Sequence, residues 1–356
     1  MNLSPSEDAL GGATVHAAPA AHEPGARGRH RTPPAAALAA ALAVVQLIVL
    51  IAFSWPAARM APHGVPVVVA GPPAAVSDLT HRLEQRAPDS FDFTTRGDEA
   101  SARRALLDRD AYAAITVQPT GGTKVLVSSA ASAAVAGAFT QLAGELSHSS
   151  GATVPVDDVR PAPAKDPHGA AFASSVLPIV LTGMIGGVVF ALKITRRRSK
   201  FAAVALFAAF AGLASTAVAH GWIGALDGNY FAEASVVALT VLAICATVMG
   251  LGTALGGPGI ALGIVTILLV GNPFSGVASA PQMLPAPFGT LGQLLPPGAG
   301  ASLLRSVSFF DGAAAAQPLT VLAVWAAAGL ALTAVRRRAG SAEPAPSPAA
   351  GGAASA

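Results

Sequence analysis

Between Asn272 and Gln317 the chain carries only two charges, Arg305 and Asp311. A guanidinium presents a fixed fork of donors, so Arg305 can hold the Asp311 carboxylate or the phosphate of a lipid headgroup, and either bond would fix the loop. A second set of cations stands close together in KITRRRSK, where Lys193, Arg196, Arg197, Arg198 and Lys200 fall within eight residues. Such a run at the end of an apolar segment is a membrane-topology signal. A third feature is Asp166-Pro167-His168-Gly169, a turn just ahead of an apolar run. Asp166, Pro167 and Gly169 are its structural residues.

Other chemistry is missing. No G-x-x-x-x-G-K-[ST] run supplies backbone amides for nucleotide phosphates. No H-E-x-x-H, no Cys/His cluster of zinc spacing and no G-x-S-x-G elbow occurs. The eight histidines are scattered, and His220 beside Trp222 reads as interfacial. Cys245, the single cysteine, lies in an apolar run as a small packing residue and can form no internal disulfide. An enzyme is therefore not expected, nor a metal or cofactor.

Composition shows what must position these residues. Hydrophobic residues make up 53% of the 356 and charged residues 12%, where soluble domains carry about 25% charged residues. The net charge of +3 does not point to nucleic acid, because the basic residues cluster at the ends of apolar runs. The expected architecture is an α-helical integral membrane protein with six transmembrane helices. The spans are predicted at 35–55, 172–192, 201–219, 234–255, 258–271 and 318–335, with the fifth the shortest, and none holds a charged side chain. The first is expected to be a retained anchor, since it is longer than the 7–15 apolar residues of a signal peptide. Arg27, Arg29 and Arg31, the KITRRRSK loop, and Arg336, Arg337 and Arg338 then fall on one side. The positive-inside rule makes that side the cytoplasm, with both termini in it and the bacterial inner membrane as location. Without Asp, Glu, Lys or Arg inside the spans, a buried proton relay is not expected.

Residues 1–34 and 339–356, rich in Ala, Pro, Gly and Ser, read as disordered cytoplasmic tails. Residues 60–170 read as a small extracytoplasmic α/β domain and linker after the first helix. VPVVVA ends at Gly71-Pro72 as a strand, Val76, Leu79 and Leu83 share a helical face, and FDFTT suggests a second strand. Asp98 can cap the helix that follows, YAAITV and KVLVS form a hairpin across QPTGGT, and Val135, Phe139, Leu142 and Leu146 make a last helical stripe. The predicted order is βαβαββα, as a docking, spacer or ligand-binding domain. Residues 171–338 form the membrane domain, in which Gly183 and Gly187, Gly252 and Gly256, and Gly259 and Gly263 are candidates for close helix contact.

The loop holding Arg305 is too apolar for water, and an irregular backbone exposed to lipid would leave polar groups unpaired at several kcal/mol each. It is therefore expected to be a re-entrant hairpin before the sixth helix, packed on its own bundle. Pro285, Pro287, Pro296 and Pro297 break it into short pieces. Phe288, Leu291, Leu294 and Leu295 make one apolar stripe, and Leu303, Leu304 and Val307 another.

The sequence resembles the type-2 ABC-transporter permease superfamily, most closely its phage-infection-protein-like branch. The likeness rests on Gly271-Asn272-Pro273-Phe274-Ser275-Gly276, Leu284-Pro285, Leu295-Pro296-Pro297-Gly298, Arg305, Phe309-Phe310-Asp311-Gly312, and the Asp166 to Gly169 turn. It implies one N-terminal span, a large extracytoplasmic domain and five further spans. It also implies a permease-like subunit, dimeric, that exports an apolar or amphipathic substrate with a separate ATP-binding subunit. The hairpin would be an outer gate, and Lys193, Arg196, Arg197 and Arg198 the site of cytoplasmic coupling. A non-transporting receptor or scaffold of an envelope or secretion complex is the other reading, in keeping with the very short inner loop.

Overall fold

The computed structural model describes residues 35–118 and 122–334. The tails expected at 1–34 and 339–356, and Arg336 to Arg338, lie outside the described residues. The chain divides into two compact units at Gln46/Leu47, a point that falls within the first helix, α1 (Ala35–Ala58). Everything that follows concerns the second unit.

An α/β domain comes first: β1 (Val65–Ala70), α2 (Pro73–Arg86), β2 (Phe91–Arg96), α3 (Glu99–Leu107), β3 (Ala113–Val117), β4 (Thr123–Val127), α4 (Ala133–Ser150) and β5 (Val156–Asp158). The sheet order is β2-β1-β3-β4-β5. Only β3 and β4 pair antiparallel. β1 is an interior strand, paired on both sides, and its β-branched valines are buried on both faces. Val65 and Val67 join Ile115, Leu83 and Phe139 on the side of α2 and α4, while Val68 joins Leu106 and Leu126 on the side of α3. Asp98 does cap α3: its side chain accepts from Ser101 N at 2.8 Å, and Ser101 Oγ accepts from Asp98 N in return. β5 is an addition to the expected order. Its Val-Asp-Asp sequence has no strand pattern, and it is held by pairing with β4.

Beyond the domain lie α5 (Ala170–Lys193), α6 (Arg197–Thr216, running on as a π-helix through Ile223) and α7 (Tyr230–Leu255). Next come α8 (Gly257–Ile264, running on as a π-helix to Gly271), α9 (Phe288–Gln293), α10 (Pro296–Phe309) and α11 (Ala316–Ala334). Among the described residues, five helices are long and apolar enough to cross a membrane: α1, α5, the α6 stretch to Ile223, α7 and α11. On length and composition the chain is a multi-pass membrane protein. The sixth expected span, 258–271, is shorter than the rest. Its eight α-helical and seven π-helical residues extend about 20 Å, against a hydrocarbon core of about 30 Å.

α7 is the axis of the bundle, and most of its length from Glu233 to Gly250 is buried. Helices approach it where side chains vanish. A Cβ on Gly187 of α5 would lie 2.8 Å from Cys245 O, and one on Gly250 would lie 2.3 Å from Gly329 O of α11. The helices run past the predicted spans and so take in two buried charged residues, each one position before a span expected to be uncharged. Glu233, one residue before the predicted fourth span, is fully buried in α7, and Lys200 of α6 is 5% exposed. Both are satisfied locally, which is what lets them stay. Glu233 accepts from Gly228 N at 2.9 Å and meets His220 Nδ1 at 2.7 Å. Lys200 Nζ donates to Thr253 Oγ1 at 2.7 Å and to Ala191 O at 3.3 Å.

Arg197 Nη1 donates to Ala334 O, so the KITRRRSK loop and the end of α11 share one end of the bundle. The α/β domain stands at the other, the hairpin end.

Candidate functional site

The hairpin starts from α8. A Cβ on Gly271, at its end, would lie 3.0 Å from the Pro297 ring. The chain rises through Asn272–Gly276 to the α/β domain, where Ala280 joins the core beneath the sheet. It turns over a 3-10 helix at Pro281–Met283, descends as α9 and rises again as α10. Prolines 296 and 297 do not prevent α10, because they occupy its first turn, where backbone N–H groups have no partner in any case. Small residues then let it sink into the bundle. Gly300 packs on Thr240, and a Cβ there would meet its Cγ2 at 2.6 Å.

The depth of the turn between α9 and α10 follows from two contacts. Trp325 Nε1 donates to Leu294 O at 2.8 Å, and Trp325 is nine residues, about 14 Å, from the start of α11. Thr240, against Gly300, is ten residues, about 15 Å, from the start of α7. The turn thus lies about 14–15 Å along α11 and α7 from their starts, packed against both helices.

Arg305 is the buried centre of this hairpin, 8% exposed. Its Nη2 donates to Val277 O at 2.9 Å, tying α10 to the rising arm, and the guanidinium lies 4.8 Å from the centre of the Phe172 ring of α5. It does not reach Asp311, which is exposed with a left-handed φ of 50°. That pairing is overturned. α10 directs Arg305 inward, whereas Asp311 begins the turn into α11. The two apolar stripes also divide. Leu303 and Leu304 are buried, but Leu291 and Leu294 of α9 are 46% and 48% exposed.

The α/β domain is fastened to the hairpin. Arg109, between α3 and β3, donates through Nη1 to Ser302 O at 3.0 Å and to Ser306 Oγ. Its guanidinium lies 5.5 Å from the centre of the Phe310 ring. Ser306 Oγ in turn donates to Ala313 O at 2.5 Å. Arg160 Nε donates to Phe309 O. On the approach from α1, Ala61 N and His63 N donate to Met283 O and Gln282 O at 3.0 and 2.9 Å. Gln293 is a further clasp, its Nε2 donating to Ser275 O at 2.8 Å and its Oε1 accepting from Ser302 Oγ at 2.5 Å.

The remaining candidates have definite places. Asp166, 5% exposed, accepts from Ala171 N and Phe172 N at 3.0 and 2.8 Å and so closes the N-terminus of α5, with Gly169 at φ 66°. Pro167 is exposed beside it. Leu284, Pro296, Pro297, Gly298 and Phe310 are buried, and Asn272, Pro273 and Pro285 are half-buried. Gly276 and Gly312 take left-handed φ angles of 65° and 87°. Lys193, Arg196 and Arg198 are exposed at the opposite end. Arg109, Arg160, Glu233 and Gln293 were not singled out by sequence. Glu233 alone left a signal, as a carboxylate at the edge of an apolar run.

Two spaces accompany the hairpin. One, of about 300 Å³, lies between the α/β domain, α9, α10 and the start of α11, lined by Arg109, Tyr112, Gln282, Thr290, Gln293 and Ser302 among others. The other is an apolar groove of about 570 Å³ between α5 and α6, lined by Ser175, Pro178, Thr182, Thr216, Val237 and Leu304 among others. Thr216 is fully buried there, and its hydroxyl has no hydrogen-bond partner. No cluster of His, Cys, Asp and Glu that could hold a metal occurs among the described residues. No protein-family model matches the chain, and no curated protein or solved structure matches it.

Proposed function

We propose that the chain is the membrane subunit of a permease that moves an apolar or amphipathic substrate with a separate ATP-binding subunit, as the resemblance to type-2 ABC permeases implies. The observation that carries the reading is the groove between α5 and α6. It is apolar and exposed at helix level, holds one unpaired buried hydroxyl, and has Leu304 of the hairpin in its wall. A movement of the hairpin therefore changes the groove, which is what a gate must do. An acyl or other apolar chain with a polar atom near Thr216 suits such a lining.

In this reading α8 makes the sixth crossing together with the hairpin that meets it at Pro297. Both termini are then cytoplasmic, the basic clusters share the cytoplasmic side of a bacterial inner membrane, and the α/β domain is outside. Lys193, Arg196, Arg197 and Arg198 form the docking point for the ATPase, and two copies form the translocating unit. Crosslinking in native membranes followed by mass spectrometry tests this. A P-loop ATPase should co-purify in fixed ratio and be lost when Arg196 and Arg198, both exposed, are replaced by Gln. A second reading, a receptor or scaffold, is favoured by the three-residue link from α5 to α6, Ile194 to Arg196. It is small for an ATPase contact. Recovery of the chain with envelope proteins and no ATPase would decide for that reading.

A further inference from the structure

The cavity of about 300 Å³ beneath the α/β domain is built around a charge that the protein does not balance. Among the described residues, neither Arg109 nor Arg305 has a carboxylate within ion-pair distance. Their positive charges also act on one another. Burial pushes the Arg109 guanidinium below its ordinary value. A half-buried cation held only by a carbonyl, a hydroxyl and a ring face is short of the anion that would offset its desolvation. Arg305 takes no part in lining the cavity, but Arg109 does. Arg109 also holds a left-handed φ of 64°, uncommon outside glycine and costly to keep.

A second polar group in the same wall is unsatisfied. Gln282 has a buried Oε1 with no donor, although its backbone carbonyl is taken by His63 N. The cavity therefore offers a positive fork, and one of its wall residues, Gln282, has an amide oxygen with no donor. Gln317 and Pro318, at the start of α11, also line it. It thus stands at the level where the helices of the bundle end, which in a membrane is the depth of the headgroups.

We propose that this cavity binds a phosphate group, its oxygens paired with Arg109, within a polar headgroup whose hydroxyl or ammonium donates to Gln282. A phosphodiester lipid headgroup and a free phosphate share the chemistry that Arg109 recognises, and the former adds a hydroxyl or ammonium beyond the phosphate that can donate to Gln282. The site is separate from the apolar groove and does not rest on the permease reading.

The test uses the full chain in an uncharged detergent, with thermal unfolding followed on titration. The probes are inorganic phosphate and dihexanoyl phosphatidylglycerol; dihexanoyl glycerol and sodium chloride at matched ionic strength are the controls. A saturable rise in midpoint is expected with a phosphate-bearing probe and with neither control. Arg109→Gln should weaken that probe by about tenfold or more, the scale of one charge-assisted bond. Gln282→Leu should weaken phosphatidylglycerol several-fold, and more than it weakens inorganic phosphate. A response to phosphatidylglycerol alone identifies a lipid source, and a response of equal strength to inorganic phosphate identifies a free one; both support the site. If Arg109→Gln does not fold, Thr290→Cys decides, since Thr290 is an exposed residue of the cavity wall and the native Cys245 is fully buried. Slower maleimide labelling in the presence of the probe supports the proposal. No saturable shift with either probe, a shift that survives Arg109→Gln, or labelling unaffected by the probe overturns it.

Discussion

His220 Nδ1 stands 2.7 Å from a carboxylate oxygen of Glu233, whose other oxygen accepts from Gly228 N. Groups from the π-helical end of α6, the α6–α7 connection and the first turn of α7 thus close a junction in which the carboxylate is fully buried. Removing it orphans two partners at once. Glu233→Ala should lower stability by about 3 kcal/mol or more, given about 1–3 kcal/mol for each buried polar group left unpaired. Glu233→Gln keeps an oxygen for Gly228 N–H and should cost less than half as much. Thermal unfolding of both variants in detergent checks the order, and equal losses would show that the carboxylate oxygen facing His220, rather than volume or the bond to Gly228 N, carries the junction.

Gly250 and Gly329 meet backbone to backbone, with no side chain that could yield. A Cβ on Gly329 would lie 2.4 Å from the Ala246 carbonyl carbon. Gly250→Ala and Gly329→Ala should each cost at least the roughly 1–3 kcal/mol typical of overpacking. Together they should cost less than their sum, because the first already separates α7 from α11. Gly137→Ala in α4 meets nothing within 4 Å and should be neutral or stabilising by up to about 1 kcal/mol. Unfolding midpoints of the four variants are the measurement.

Trp325 holds the hairpin's turn at depth through one bond, to Leu294 O. Trp325→Phe keeps a ring and removes the donor, at a cost of about 1 kcal/mol. The effect should be local. Amide hydrogen exchange should quicken across α9 and leave α7 unchanged. Uniform quickening would show that Trp325 supports the bundle rather than the hairpin.

On the α/β domain, Glu99 accepts from Lys124 Nζ at 2.7 Å and is 3.5 Å from Arg103, while Asp157 of β5 meets both cations. The Lys124 hydrogen bond, aided by Arg103 and opposed by burial, holds the Glu99 carboxyl below its ordinary value of 4.5. A lowered folded-state pKa gives stability that is present above the unfolded value and lost as pH falls through the folded one. Glu99→Gln should therefore destabilise the chain near neutrality by about 1 kcal/mol or less, since the group is a third exposed and screened by water. The gap between the two proteins should close as pH drops below 4.5. Denaturant titrations near neutrality and near pH 3 compare them.

Periodicity revealed what burial imposes on neighbouring residues. The apolar helices and the valine strand β1 carry their own pattern, and Asp98 sits at the fixed spacing a cap requires. β5 carries none, because its place depends on β4 and on cations of α3 and β4. Glu233 was missed because an apolar run is cut at its first charge, whereas the helix continues wherever other elements satisfy that charge. α10 was hidden by prolines that are harmless in a first turn. Arg305 was legible as a lone charge in an apolar loop, but its partner was not. Arg109 was invisible, since nothing near it in sequence indicates that its donors meet Ser302 and Ser306.

The clasp between Arg109 and Ser306 joins residues 197 positions apart. At ribosomal rates of about 5–20 residues per second, Ser306 is made roughly 10–40 s after Arg109. The α/β domain is complete long before the hairpin that covers its lower face exists. For that interval it must persist with Arg109 uncapped and the core around Ala280 open, so it is during biosynthesis, more than in the finished protein, that this domain is exposed to proteolysis and to wrong partners.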